Sequence, residues 1–145
     1  MTVINKSALV SYDAGAMFDI VNDIEAYPEF LPWCGSAQVI SRNEDEIQAS
    51  IQISHSGISK VFTTRNRLQK NKMIEIQLVD GPFKHLHGFW QFKNLGNQGC
   101  KVTLDLEYEF SSKLLSMAVG PVFDQIANSL IDAFCKRAAD LYGGQ

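Results

Sequence analysis

Long hydrophobic runs are missing from this chain. Its apolar stretches stop at three residues, as in Met117-Ala118-Val119, far short of the ~20 needed to span a bilayer. The opening residues MTVINKSALVSYD lack the basic-then-apolar layout of a secretory signal. The reading is a cytoplasmic protein with no transmembrane segment. Cysteine is scarce too. Cys34, Cys100 and Cys135 are odd in number and far apart, which gives neither a disulfide framework nor a zinc-ligand spacing and leaves reduced, buried thiols. A basic excess is also lacking: 13 Lys and Arg stand against 16 Asp and Glu, for a net charge of −3. Proteins that work by neutralising phosphates carry the opposite balance, so generic nucleic-acid binding, DNA included, is disfavoured. Internal repeats, low-complexity tracts and long linkers are absent, so residues 1–145 read as one domain.

What is present is enough apolar material, 46% of residues, to build a core, arranged with two periods. Val3 to Val10 suits an edge strand. Asp13 is placed as an N-cap, with Tyr12 and Met17 as a staple across it, for a short helix ending near Ile24. Pro28 and Pro32 then force extended or turn geometry on the residues before them. From Ala37 to Phe110 the period is two. Ala37–Arg42 is a strand; Ile47, Ala49, Ile51 and Ile53 alternate with polar residues; Val61–Leu68 follows. Met73–Val79 comes after the turn Lys70-Asn71-Lys72, and Leu86–Lys93 after the break at Gly81-Pro82. In the last strand Val102, Leu104, Leu106, Tyr108 and Phe110 share a face. About seven strands with short connections make an antiparallel sheet. The helical period returns in Phe123, Ile126, Leu130, Phe134, Ala138 and Leu141. A short helical lead-in from Leu114 precedes it, Pro121 predicts a kink or break between the two, and Gly143-Gly144 a stop after Tyr142. Strand, helix, six strands and a long helix form an α+β fold in which the sheet curls around the terminal helix.

Candidate chemistry is sparse. There is no nucleophile elbow, phosphate-binding glycine loop or metal-spaced His/Cys cluster. His85 and His87 share the water-facing side of their strand with Gln91 and Lys93. Two imidazoles without a further ligand are weak evidence for a metal, so none is assigned. His55 lies in a loop. Asp105, Glu107 and Glu109 also project outward, where carboxylates simply stay ionised and do no acid–base work. The aromatic segment Tyr27-Pro28-Glu29-Phe30-Leu31-Pro32-Trp33 is unusual for a loop; it either plugs the core or forms the lip of an apolar cavity. Arg65 and Arg67, with Lys70, Lys72, Lys84 and Lys93 nearby, make either a basic patch or an ordinary solubilising surface.

Four blocks in order, YPEFLPWC (27–34), GISKVFTTRNRL (57–68), LVDGPFKHLHGFWQF (78–92) and FDQIANSLIDAFCKRAADLY (123–142), resemble the coenzyme Q-binding branch of the START-like, helix-grip superfamily, also labelled cyclase or dehydrase through kinship with polyketide aromatases. The resemblance covers essentially the whole chain. It implies a curved seven-stranded sheet gripping the C-terminal helix around an apolar cavity that holds ubiquinone or another polyisoprenoid lipid, with no required cofactor. For the bacterial toxin-type branch it implies binding to the large ribosomal subunit and a block of subunit joining. By position, the cavity mouth is Tyr27, Phe30, Leu31 and Trp33. The interior is Phe62, Asn66, Trp90, Leu106 and Tyr108 from the sheet, with Phe123, Ile126 and Leu130 from the helix. This tilts the aromatic segment toward the lip. Asn66 puts an amide on the apolar face, and it needs a partner: a neighbouring backbone group or the carbonyl of a quinone. Arg65, Arg67, Lys84 and Lys93 are the candidates for ribosome contact, although the acidic charge suits basic ribosomal proteins better than RNA. His85 and His87 depart from what the family leads one to expect around GPFK. The alternative is a small cyclase or dehydratase using the cavity as a reaction chamber; its inward polar groups would be Thr64, Asn66 and Tyr108.

Overall fold

The computed structural model describes residues 1–143. In chain order it contains β1 (Thr2–Val10), α1 (Ala14–Asn22), a 3-10 helix (Ile24–Glu29), β2 (Cys34–Arg42), β3 (Glu46–His55), β4 (Ile58–Gln69), β5 (Met73–Asp80), β6 (Phe83–Asn94), β7 (Cys100–Phe110) and α2 (Lys113–Tyr142). The seven strands form one antiparallel sheet in the order β1-β7-β6-β5-β4-β3-β2. β2 to β7 is therefore a plain meander. β1 sits at one edge, as its composition predicts, and pairs with β7 from Thr2↔Tyr108 to Val10↔Cys100.

Local chemistry sets the helix starts. Asp13 accepts from the Ala16 N–H at 2.7 Å, and Ser112 caps α2 by accepting from Leu115 N–H at 3.1 Å, each satisfying a donor the first turn leaves free. β6 and β7 approach closely at Gly88, where a Cβ would sit 2.5 Å from the Asp105 carbonyl oxygen. The inward strand faces alternate as the sequence predicts. Ile47, Ala49 and Ile53 on β3, and Val102, Leu104, Leu106, Tyr108 and Phe110 on β7, are buried in one core with residues of α1 and α2.

Three sequence expectations need correction. The first helix ends at Asn22, and Ile24–Glu29 forms a separate 3-10 helix with Pro28 inside it, so this proline-containing stretch is regular structure and no plain loop. Next, α2 is one unbroken helix of 30 residues through Pro121. Pro121 and Met117, whose carbonyl loses its N–H partner four residues on, are both exposed, so water can take that bond. The buried face of α2 also differs from the predicted stripe. Ala127 and Ile131 join it, Leu130 is half-buried and Leu141 is 51% exposed. Gly143 closes the helix by donating its N–H to the Ala139 carbonyl, whereas Gly144 lies outside the described residues.

By length and composition α2 is apolar enough to cross a membrane, with an 18-residue window of mean hydropathy 1.3. A search for unbroken apolar runs does not anticipate this, because Ser, Gly and Asn interrupt the stretch. In this fold Phe123, Ile126 and Phe134 from the same helix are core residues.

Candidate ligand cavity and the outer sheet face

Between the sheet, α1 and α2 lies a partly open cavity of about 90 Å³. α1 and the 3-10 helix contribute Val21, Ile24 and Tyr27, the start of β2 is preceded by Trp33, and α2 gives Phe123, Ile126, Leu130 and Phe134. The sheet contributes Ile51, Phe62, Thr64, Asn66, Ile74, Ile76, Leu86, Trp90 and Leu106. Nine of the twelve expected cavity residues line it: Tyr27, Trp33, Phe62, Asn66, Trp90, Leu106, Phe123, Ile126 and Leu130. Most of the others in the wall follow from the same alternation and are within reach of sequence reasoning. Ile51, Thr64, Ile74, Ile76 and Leu86 occupy inward positions of their strands, and Phe134 lies on the helical stripe.

Phe30, Leu31 and Tyr108 do not line the cavity. The chain turns at Tyr27, whose carbonyl accepts from the N–H of Phe30 at 3.2 Å and of Leu31 at 2.9 Å. Leu31 becomes core at 1% exposure. Phe30 packs 5.4 Å from the Phe134 ring and lies under the Arg137 guanidinium, 4.8 Å away; Arg137 also reaches Glu29 at 3.2 Å. The aromatic segment is therefore both things: Tyr27 and Trp33 are wall, while Phe30 and Leu31 are plug. Tyr108 sits behind the wall, edge-on to Phe123 at 4.7 Å, and donates its hydroxyl to Asp124. It is on the inner face of β7, as its parity predicts, but it packs on Phe123, which lines the void while Tyr108 does not.

The polar groups of the wall are few and mostly committed. The Tyr27 hydroxyl donates to the Val21 carbonyl, and burial pushes its pKa far above the ordinary value. Thr64, 4% exposed, donates to Asn66 Oδ1 at 3.0 Å. The Asn66 amide oxygen thus takes a neighbouring side chain as its partner, a pairing the sequence reading does not offer; the choice it does offer, backbone group or ligand carbonyl, concerns the NH₂ end. Cys34, at the start of β2, is buried and donates its S–H to the Ser36 carbonyl at 3.4 Å, and desolvation pushes its thiol up to about 11. Burial likewise raises Cys100 and Cys135.

On the outer face the histidines pair across strands, His85 with Glu107 at 3.3 Å and His87 with Glu75 at 2.9 Å. Among the described residues no group of three or more His, Cys, Asp or Glu is placed to hold a metal ion. Three of the four expected contact cations are partly neutralised. Arg65 and Arg67 both approach Glu46, at 3.4 and 3.9 Å, and Lys84 approaches Glu109 at 3.5 Å. Lys93 differs: it lies directly opposite Lys101 in the β6–β7 register, and neither lysine enters an ion pair among the described residues.

A curled antiparallel sheet gripping a long C-terminal helix around an apolar cavity defines the START-like, helix-grip class. A solved structure from Thermus thermophilus has this fold, with a TM-score of 0.82 at 15% identity, covering 97% of this chain and 99% of that one. The chain belongs to the polyketide cyclase / dehydrase and lipid transport family, which matches residues 10–135. Relatives named ribosome association toxin are similar end to end. That of Pseudomonas aeruginosa is 49% identical over 98% of this chain and 99% of its own length, and that of Escherichia coli K12 is 41% identical over 100% and 92%. A mitochondrial coenzyme Q-binding protein homologue from Xenopus laevis is 27% identical over 97% of this chain and 59% of its own length.

Proposed function

We propose that this is a non-catalytic protein of the ribosome association toxin type. It binds the large ribosomal subunit in the cytoplasm, blocks joining of the small one, and holds a hydrophobic ligand, ubiquinone or another polyisoprenoid, in its cavity. The observation that carries the ligand half is the cavity wall, built from apolar and aromatic side chains with one Thr–Asn pair and no carboxylate, imidazole, amine or thiol. General acid–base chemistry needs such a group in reach of the reacting atoms. The wall's one phenol, Tyr27, is already spent on a backbone carbonyl, which argues for binding over a cyclase-type reaction. The ribosome half is supported by the names of relatives that align along the full chain.

The volume bears on how a ligand is held. At about 90 Å³ the cavity is smaller than the ~150 Å³ that takes up a benzene. A ring-sized head therefore needs side chains to move aside, and a long isoprenoid tail runs out through the opening. Burial of apolar surface, at about 25 cal/mol per Å² before ordering costs, drives that adjustment.

The test is native mass spectrometry of protein purified without detergent, before and after incubation with ubiquinone, beside sedimentation with purified ribosomal subunits. The reading expects a stoichiometric quinone or isoprenoid adduct and co-sedimentation with the large subunit alone. Protein that stays empty after incubation overturns the ligand half, and protein that remains at the top of the gradient overturns the ribosome half.

A further inference from the structure

We infer that the Asn66 side-chain amide is the recognition group of the cavity, and that it recognises a hydrogen-bond acceptor, a carbonyl or ether oxygen, on an otherwise apolar molecule. This rests on the cavity being a ligand site and adds the chemistry of what that site selects. Asn66 pairs in register with Ile47 on β3 and with Ile76 on β5, so both cross-strand neighbours on its face are aliphatic. Its polar neighbour lies along its own strand, where the buried Thr64 hydroxyl donates to Oδ1 at 3.0 Å. That bond occupies one lone pair of the amide oxygen and fixes the amide's orientation, oxygen toward Thr64. The two Nδ2 hydrogens remain, and none of the hydrogen bonds among the described residues uses them.

Nor is Nδ2 sealed inside the wall. Among the described residues the one buried side-chain polar atom without a partner is Asn22 Oδ1, so Nδ2 retains open surface, and Asn66 lines the void. With its oxygen held by Thr64, the amide keeps two unused N–H donors against one remaining lone pair. The complementary group is an acceptor. An aliphatic side chain between Ile47 and Ile76 would complete the apolar wall with no polar group to satisfy, since an unmatched donor there opposes the uptake of a pure hydrocarbon.

Two probes of similar shape test this: acetophenone, which carries a carbonyl, and cumene, which has the corresponding branch without oxygen. Each is titrated into ¹⁵N-labelled wild-type protein and Asn66→Leu, and affinities are read from amide shifts of the wall residues. One hydrogen bond corresponds to about 10-fold in affinity. Acetophenone is therefore expected to bind Asn66→Leu about 10-fold more weakly than wild type, with cumene unchanged or tighter. In wild type the Asn66 side-chain NH₂ resonances are expected to move with acetophenone and stay with cumene. Retained cumene binding also shows that the variant is folded. Equal losses for both probes, or no loss for acetophenone, overturn the inference while leaving the cavity as a ligand site. Failure of both probes to bind wild type overturns the ligand reading itself, and this inference with it.

Discussion

Alternation along a strand decides which atoms meet, and at that scale the sequence is most informative. The period of two puts Phe62, Asn66, Trp90 and Leu106 on the inner face, and all four line the cavity. It cannot show that Phe123 lines the cavity while Tyr108, packed against it, does not, because that depends on where α2 crosses the sheet. Nor can it give the fate of Phe30, set by a turn on the Tyr27 carbonyl and by Arg137 from the far end of the chain. Cys34 yields a pH prediction. Its pKa is raised from 9.0 to about 11 by burial, so the fold holds a proton that the unfolded chain has released. The stabilising contribution is thus complete below about pH 9 and lost as pH rises toward 11. Urea midpoints measured across that range should fall with pH in the wild type and fall less steeply in Cys34→Ala.

Elements are legible where many residues vote for one period, and less so where one residue carries a strong local signal. All seven strands and both principal helices can be read, with ends displaced by a few residues. The errors cluster at prolines. Pro28 lies within a 3-10 helix, whose looser hydrogen-bond demands accept it, and Pro121 lies in mid-helix. Local propensity opposes both placements, and the burial of Tyr27, Val119 and Phe123 around them outweighs that opposition. The helical cost remains measurable. Pro121→Ala restores an N–H to the ladder at an exposed site, and is expected to stabilise the protein by about 1–3 kcal/mol in thermal or denaturant unfolding, with the cavity unaltered.

For the whole molecule, the net charge of −3 conceals a division. Residues 34–110, spanning β2 to β7 and their turns, hold nine Lys and Arg against eight Asp and Glu, whereas the rest of the chain, rich in helix, holds four against eight. The acidity that argues against an RNA-facing surface therefore belongs to the helical side, which only the topology reveals. On the sheet, Arg65 and Arg67 share Glu46, while Lys93 and Lys101 face each other with no ion pair among the described residues. Like charges opposite one another weaken a sheet and become favourable when an anion lies across them. If the sheet presents the ribosome contact, Lys93→Glu with Lys101→Glu should reduce co-sedimentation with the large subunit and flatten its salt dependence. Arg65→Glu with Arg67→Glu should do less. The reverse ranking would return the contact to the arginines.

The place of β1 has a consequence for how the chain acquires this shape. Each pairing from β2 through β7 joins neighbours across a short turn and can close as the chain emerges from the tunnel. β1, made first, pairs with residues 100–108 and must wait for nearly the whole sequence. Until then its backbone N–H and C=O groups, with the exposed Val3 and Leu9 side chains, are an open strand with no mate. A long loop is entropically slow to close, so β1 is the segment most open to proteases, to a chaperone or to a second nascent copy while synthesis is under way.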